Sequence, residues 1–299
     1  MPAVTAGDLL TLDELARFRR ASTLRGAALV LHAWLVIAAA IALYALRPGV
    51  LTLLVMVAVV GSRQLGLAVL MHEAAHWLLF PRARVNTWVG DWLCGAPAGA
   101  DLREYRRRHH LHHRHTQQPE DPDLALSRPL PVARGQLPRA LLADLSGWTA
   151  LSGLARWRPG PDGLAHAWRR VRAPALTNGV LFGVLFAVGG WPLYPLAWLL
   201  PRLTWYRVIS RVRDIAEHGM VPDAADPLRN ARTIRAGVLA RIFLAPYWVN
   251  YHLEHHLMVF VPCWKLRSLH AHLLTRGLGE RIETASSYLR VLRQATSAR

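Results

Sequence analysis

Lysine is all but missing from this sequence of 299 residues: Lys265 stands alone among 36 basic residues, and arginine carries the rest. Cysteine is nearly as scarce. Cys94 and Cys263 lie far apart and outside any metal-binding spacing, which argues against a disulfide scaffold or a cysteine-based zinc module and leaves packing as their role. Acidic residues number only 19, so the formal charge is +17. In a soluble chain that balance would point to nucleic acid, but the positive mean hydropathy turns it towards a membrane surface. Asp8, Asp13 and Glu14 stand ahead of the first apolar stretch, so no secretory signal is expected. Long internal repeats and a detachable second domain are also lacking, and one domain over residues 1–299 is expected.

What the chain does have is long apolar sequence. Residues 26–46 and 49–70 are each long enough for a membrane helix, which needs about 20 apolar residues. Residues 174–189 and 191–210 make a shorter pair, rich in Gly and Pro, that reads as a tight helical hairpin. The expected fold is all-α: four transmembrane helices in two hairpins beneath a helical cap. The turns Arg47-Pro48-Gly49 and Gly189-Gly190-Trp191-Pro192 are too short to hold a domain, so each hairpin enters and leaves on one side. Because basic residues collect in cytoplasmic segments, residues 1–25, both termini and the charged remainder are expected in the cytoplasm. Thr11 to Arg20 suits a short helix on the membrane surface. Trp92 to Ala100 is too short to span and reads as re-entrant or interfacial. Arg63 and Gln64 interrupt the second run, and Arg63 is expected to snorkel or to form a structural ion pair.

Three histidine clusters lie in the charged sequence: His72-Glu73-Ala74-Ala75-His76, His109-His110-Leu111-His112-His113 and His252-Leu253-Glu254-His255-His256. Each pairs histidines three or four residues apart, which on a helix brings the imidazoles to one face, about 6 Å apart along the axis. A structural metal takes about four ligands; without the off-pattern His110 these clusters offer eight, a count that points to two metals. The first cluster alone also matches the zinc-protease signature. A catalytic zinc, however, takes three protein ligands and a water, which leaves the other clusters without a role. Imidazole suits zinc and iron alike, so ligand number decides between the readings and ligand type does not. His115 also lies off the pattern, and His32, His166, His270 and His272 carry no metal signal.

Taken together, the clusters resemble the histidine boxes of the bacterial integral-membrane fatty acid desaturase family, which also includes hydroxylases and carotenoid ketolases. The context agrees: Tyr105-Arg106-Arg107-Arg108 precedes the second box, Thr116 and Glu120-Asp121-Pro122-Asp123 follow it, and Asn250-Tyr251 precedes the third. Arg213-Asp214-Ile215-Ala216-Glu217-His218 resembles the segment that supplies an additional ligand. The resemblance runs from about Gln64 to Leu274. The first box departs in having three intervening residues, and Glu73 where many members have Asp. The resemblance implies nine ligands, His72, His76, His109, His112, His113, His218, His252, His255 and His256, for two non-haem iron ions, with O2 as co-substrate. Glu73, Glu217 and Glu254 each neighbour a ligand, where a carboxylate would accept the free imidazole N–H; plain solvated charge is the competing reading. The resemblance also suggests that Asn250 orients a bound water.

An unactivated C–H bond offers neither an acidic proton nor an electrophilic carbon, so a redox metal must carry its chemistry. The resemblance implies an O2-dependent oxidoreductase that removes two hydrogens from a fatty acyl chain of a lipid. Insertion of oxygen instead would make a lipid or carotenoid hydroxylase or ketolase, and the same ligands serve either outcome. No haem, flavin or iron–sulfur domain is evident, so electrons are expected from a separate, ferredoxin-like donor docking at Arg106, Arg107 and Arg108. Nucleic acid is not an expected partner, and the expected location is a bacterial inner membrane. A non-catalytic metal transporter or scaffold would place polar residues deep in several spans, and only Arg63 and Gln64 come near that.

Overall fold

The computed structural model describes residues 6–156 and 163–296. Residues 1–5, 157–162 and 297–299 of the expected single domain, and the side chain of His166, lie outside the described residues. Local signals set the first helices. Thr11 opens α1 (Leu12–Arg19) with a capping box: its hydroxyl accepts the Glu14 N–H, and the Glu14 carboxylate accepts the Thr11 N–H at 2.8 Å. Ser22 caps α2 (Thr23–Leu46) through the Arg25 N–H. After the Arg47-Pro48-Gly49 turn, α3 (Val50–Ala75) packs back along α2. Further helices are α4 (Leu102–Arg114), α5 (Gly163–Gly189), α6 (Trp205–His218), α7 (His252–Leu257) and α8 (Cys263–Thr275). A two-residue parallel pair, Thr233–Ile234 with Thr284–Ala285, is the only sheet among the described residues.

α3 is the central element. Its most apolar stretch is 61% buried within the protein, against 28% for α2 and 11% for Arg170–Gly189 of α5. These three helices have the length and composition to cross a membrane. Residues 191–210 do not form the single span expected of them. A π-helical stretch Pro195–Leu199, a short helix Leu200–Leu203 and a break at Thr204 precede α6. Neither Pro195 nor Pro201 has an N–H for the preceding turn, and the Thr204 hydroxyl competes for the Leu200 carbonyl at 2.6 Å.

The polar residues of α3 satisfy backbone that irregular segments leave unpaired. Ser62 donates to the Phe243 carbonyl at 3.0 Å and Gln64 to the Trp198 carbonyl at 2.9 Å. Arg63 donates to the Ile242 carbonyl, with its guanidinium 5.7 Å from the Tyr247 ring. Arg63 is buried and so does not snorkel, and it has no ion-pair partner among the described residues. An unpaired carbonyl in an apolar setting is costly, and these three side chains remove that cost. The Trp92–Ala100 region is treated in the same way. It belongs to a π-helical Val89–Gly95 followed by a tight turn Ala96–Ala98. Trp34, Trp198 and Arg202 donate to the carbonyls of Leu93, Pro97 and Ala98 at 3.0, 3.2 and 2.7 Å.

Near the N-terminus, α1 docks on α8. Phe18 is buried beside His272, and Arg276 donates to the Glu14 carboxylate at 2.9 Å. The face of α1 that the sequence suggested for the membrane is therefore in part a protein contact.

Candidate metal centre

Four helix ends converge on one point. His72 and His76 come one turn apart at the end of α3; His109, His112 and His113 lie on α4, whose N-terminus Asp101 caps through the Glu104 N–H at 2.8 Å. His218 closes α6, and His252, His255 and His256 make up half of the six-residue α7. Left-handed backbone sits beside every one of these helices. Trp77 (φ 63°) follows His76, Gln117 (φ 63°) follows α4, Met220 (φ 53°) follows His218, and Tyr247 (φ 56°) and Trp248 (φ 60°) precede α7. These residues turn the chain sharply where a helix must stop at a ligand, at a conformational cost that the surrounding packing sustains.

The imidazoles gather into two groups. His72, His76, His109, His113 and His255 form one; His112, His218, His252 and His256 form the other, with the nearest nitrogens in each group within 4.8 Å of one another. All nine histidines named from the sequence are present, and no tenth joins them among the described residues. His110 is exposed and touches only the rim, with its ring centroid 5.6 Å from that of His76. Within the groups Nε2 atoms face each other at 2.9 Å (His109 and His113), 3.0 Å (His113 and His255), 2.7 Å (His218 and His252) and 3.1 Å (His252 and His256).

Those spacings test whether a metal fits. Imidazole nitrogens bind divalent first-row metals at about 2.0–2.1 Å, so two adjacent ligands at right angles stand about 3 Å apart. Hydrogen bonding alone leaves the cluster unsatisfied. Both ring nitrogens of His72, Nε2 of His76 and Nδ1 of His113, His218, His252 and His255 are buried without a partner. Burial, followed by repulsion among the rings, pushes His109, His113, His252, His255 and His256 well below the ordinary histidine range, and burial pushes His76 and His218 down to about 3. Neutral imidazoles with converging lone pairs are what a metal requires. The residues fit two metal ions.

The carboxylates around the rings divide into three behaviours. Glu73 and Glu217 are buried and stand 3.6 Å from the Nδ1 atoms of His72 and His252, beyond hydrogen-bond reach. Glu73 also accepts the Cys263 N–H at 2.8 Å, and Glu217 is held bidentately by Arg213 at 2.9 and 2.6 Å. Glu254 turns away from the ligands: it accepts from Thr233 and pairs with His270 Nδ1 at 2.6 Å. The Asn250 amide donates to the Ile234 carbonyl at 2.9 Å, which makes it a backbone clamp, with its Oδ1 buried and unpaired. The closest carboxylate comes from Glu120-Asp121-Pro122-Asp123, the acidic segment after the second box. Asp121 is buried and holds His112 Nδ1 at 2.8 Å. Prolines around the acids after the second box mark the segment, but not which acid turns inward.

The three consecutive arginines of α4 are all engaged within the chain. Arg106 donates to the Ala74 and Ala75 carbonyls, both at 2.9 Å, and lies 3.8 Å over the Trp77 ring. Arg107 pairs with Glu104, and Arg108 with Asp123 at 2.7 Å. Arg106 thus serves the fold, while Arg107 and Arg108 stay largely exposed beside their carboxylates.

Comparison with known proteins follows the same line. The family model for fatty acid desaturase matches residues 47–282, and the chain belongs to that family. Among curated relatives, a dihydrorhizobitoxine desaturase of Bradyrhizobium elkanii is 27% identical over 227 residues, covering 70% of this chain and 64% of the relative, a little under two thirds of its length. A beta-carotene ketolase of Paracoccus sp. (strain N81106 / MBIC 01143) is 26% identical over 209 residues, covering 68% of this chain and 73% of the relative. Another, of Paracoccus sp. (strain PC1), is 25% identical over 247 residues, covering 80% and 88%. The chain is thus a member of the fatty acid desaturase family with three apolar helices suited to a membrane and a histidine cluster suited to metal.

Proposed function

We propose that this chain is an O2-dependent di-iron oxidoreductase that desaturates an acyl chain, with electrons from a separate donor protein. The observation that carries the reading is the division of nine mutually facing imidazoles into groups of five and four. When bound, two iron ions would supply the oxidising power that an unactivated C–H bond demands. The chain's own residues hold and shield that centre. Asp121 fixes the ring of His112, and the Thr116 hydroxyl lies 3.3 Å from His256 Nδ1. Tyr105 stacks on His109 with centroids 5.2 Å apart and covers that side of the five-histidine group. A cavity of about 490 Å³ reaches His72 and His109 between Leu65, Val69 and Met71 on one side and α6 on the other. This is where an aliphatic segment would lie, beside the ligands.

Hydroxylation or ketone formation at the same centre is the second reading, favoured by the two ketolases among the relatives. The zinc-protease reading loses ground because a catalytic zinc takes three protein ligands, whereas His72 and His76 share their group with three further histidines. The location we propose is a bacterial inner membrane, with both termini and the histidines on the cytoplasmic side. Iron analysis and mass spectrometry of an expressing host test the function. About two irons per chain and a product two hydrogens lighter are expected; a product one oxygen heavier would move the assignment to the second reading. A His113→Ala chain that keeps full oxidation would sink both.

A further inference from the structure

The cavity beside the histidines has two unlike walls. On the α3 side Leu65, Ala68 and Val69 present an apolar surface that leads to His72. On the other side Arg202, Tyr206, Ser210 and Asp214 follow one another at intervals of four, so they share one face of the chain leading into and along α6. A simple methylene chain would fill the first wall and leave the second unmatched.

The charges of the polar wall identify what is missing. Arg213 and Arg108 line the same cavity, and each has its own carboxylate, Glu217 and Asp123. Arg202 and Arg207 line it as well, and neither has an ion-pair partner among the described residues. One Nη of Arg202 donates to the Ala98 carbonyl; the other is buried with no hydrogen bond, while the guanidinium lies 3.7 Å over the Tyr206 ring. A partly buried cation without a counter-charge is costly, and a substrate anion would offset that cost. Asp214, on the same wall, has no hydrogen-bond donor among the described residues. Arg202 and Arg207 are thus cations without a carboxylate of their own, with Asp214 beside them on the same wall. That suits a monoanion and disfavours a dianionic phosphate, which Asp214 would repel.

We propose that the substrate carries its own carboxylate, held by Arg202 beside Tyr206, so that the chain to be oxidised enters as a free acid and not as a lipid ester. This rests on the oxidoreductase reading above and assigns its acyl carrier. The guanidinium holds the acid end while the apolar wall of α3 takes the aliphatic part and aligns it beneath His72.

Equilibrium binding to the purified, iron-loaded full-length chain without oxygen tests this, because turnover does not enter. The probes are octanoate, methyl octanoate and octyl phosphate, titrated into the wild type, Arg202→Gln and Tyr206→Phe. Octanoate should bind at least ten-fold more tightly than its ester, and Arg202→Gln should abolish that preference, as expected for loss of a charge-assisted contact. Tyr206→Phe should weaken octanoate several-fold with iron content unchanged. Equal affinity for acid and ester, or tighter binding of octyl phosphate, would overturn the proposal. So would an Arg202→Gln chain that holds iron and keeps the preference. Should Arg202→Gln fail to fold because Ala98 loses its donor, Tyr206→Phe decides: unchanged octanoate affinity overturns it. Iron content well below two per chain would count against the di-iron reading and leave the acid preference still measurable.

Discussion

Asp121 is fixed from several sides: its carboxylate accepts the N–H groups of Gln117 at 2.9 Å and Asp123 at 2.8 Å while holding His112. Carboxylates in this position commonly set metal affinity within about 10- to 100-fold. Asp121→Ala should therefore weaken metal at the four-histidine group by that order and spare the five-histidine group. Chelator competition would show one of two irons lost early, and two irons leaving together would refute the asymmetry. The nine histidines were legible because spacing of three or four residues on a helix is itself a contact rule. Asp121 was not, since nothing in Glu120-Asp121-Pro122-Asp123 says which acid turns inward. Glu120 is exposed, Asp123 pairs with Arg108, and only Asp121 reaches a ring. The buried rings also set a pH dependence. His76 and His218 are lowered to about 3, against an ordinary value of 6.5. Below pH 6.5 the unfolded chain therefore takes up protons that the folded chain refuses, and stability falls as pH drops towards 3. Each ring contributes a slope of about 1.4 kcal/mol per pH unit in that window. The metal-free protein should show a thermal midpoint that declines steeply between pH 6 and 5, whereas a flat midpoint would mean the rings are hydrated.

The elements were readable where periodicity and length agree, and unreadable where tertiary contacts rescue a broken helix. Residues 26–46 and 49–70 announce α2 and α3 through uninterrupted apolar sequence, and both are continuous helices. The stretch at 191–210 is less apolar and carries Pro192, Pro195 and Pro201, and its irregularity is made tolerable in part by Gln64, which meets the Trp198 carbonyl. That contact spans 134 positions of sequence, beyond the reach of any local pattern. Arg63 shows the same blind spot: hydropathy counts it as a defect in a span, while in the fold it completes the 238–248 segment. Arg63→Leu makes α3 more apolar, so insertion scales favour it. Its loss nevertheless leaves the Ile242 carbonyl without its donor, at a cost of about 1–3 kcal/mol. The variant should insert normally and unfold several degrees earlier in detergent. An unchanged or raised midpoint would show that Arg63 is a passenger.

At the scale of the whole molecule, the metal cluster constrains how many times the chain crosses the membrane. His76 at the end of α3 and His218 at the end of α6 belong to one pair of groups, so both helices finish on the same face. Between them α4 already sits at that face, and α5 leads away from it towards Gly189. The chain must then return, and only residues 190–218 can bring it back. Three helices qualify as spans by length and composition, and we propose the irregular stretch before α6 as a fourth crossing, which would bring His76 and His218 to one side. The contact of Glu14 on α1 with Arg276 after α8 places the N-terminal and C-terminal regions together on the cluster side. Cysteine labelling tests the count directly, since Cys94 and Cys263 are buried and give little background. Leu12→Cys and Leu289→Cys, both at exposed positions, should react with a charged maleimide from one side of sealed vesicles. Val50→Cys and Trp191→Cys, in the two turns, should react only from the other. Labelling of Leu12→Cys and Leu289→Cys from opposite sides would mean three crossings, and the histidines of α3 and α6 could not then share a site.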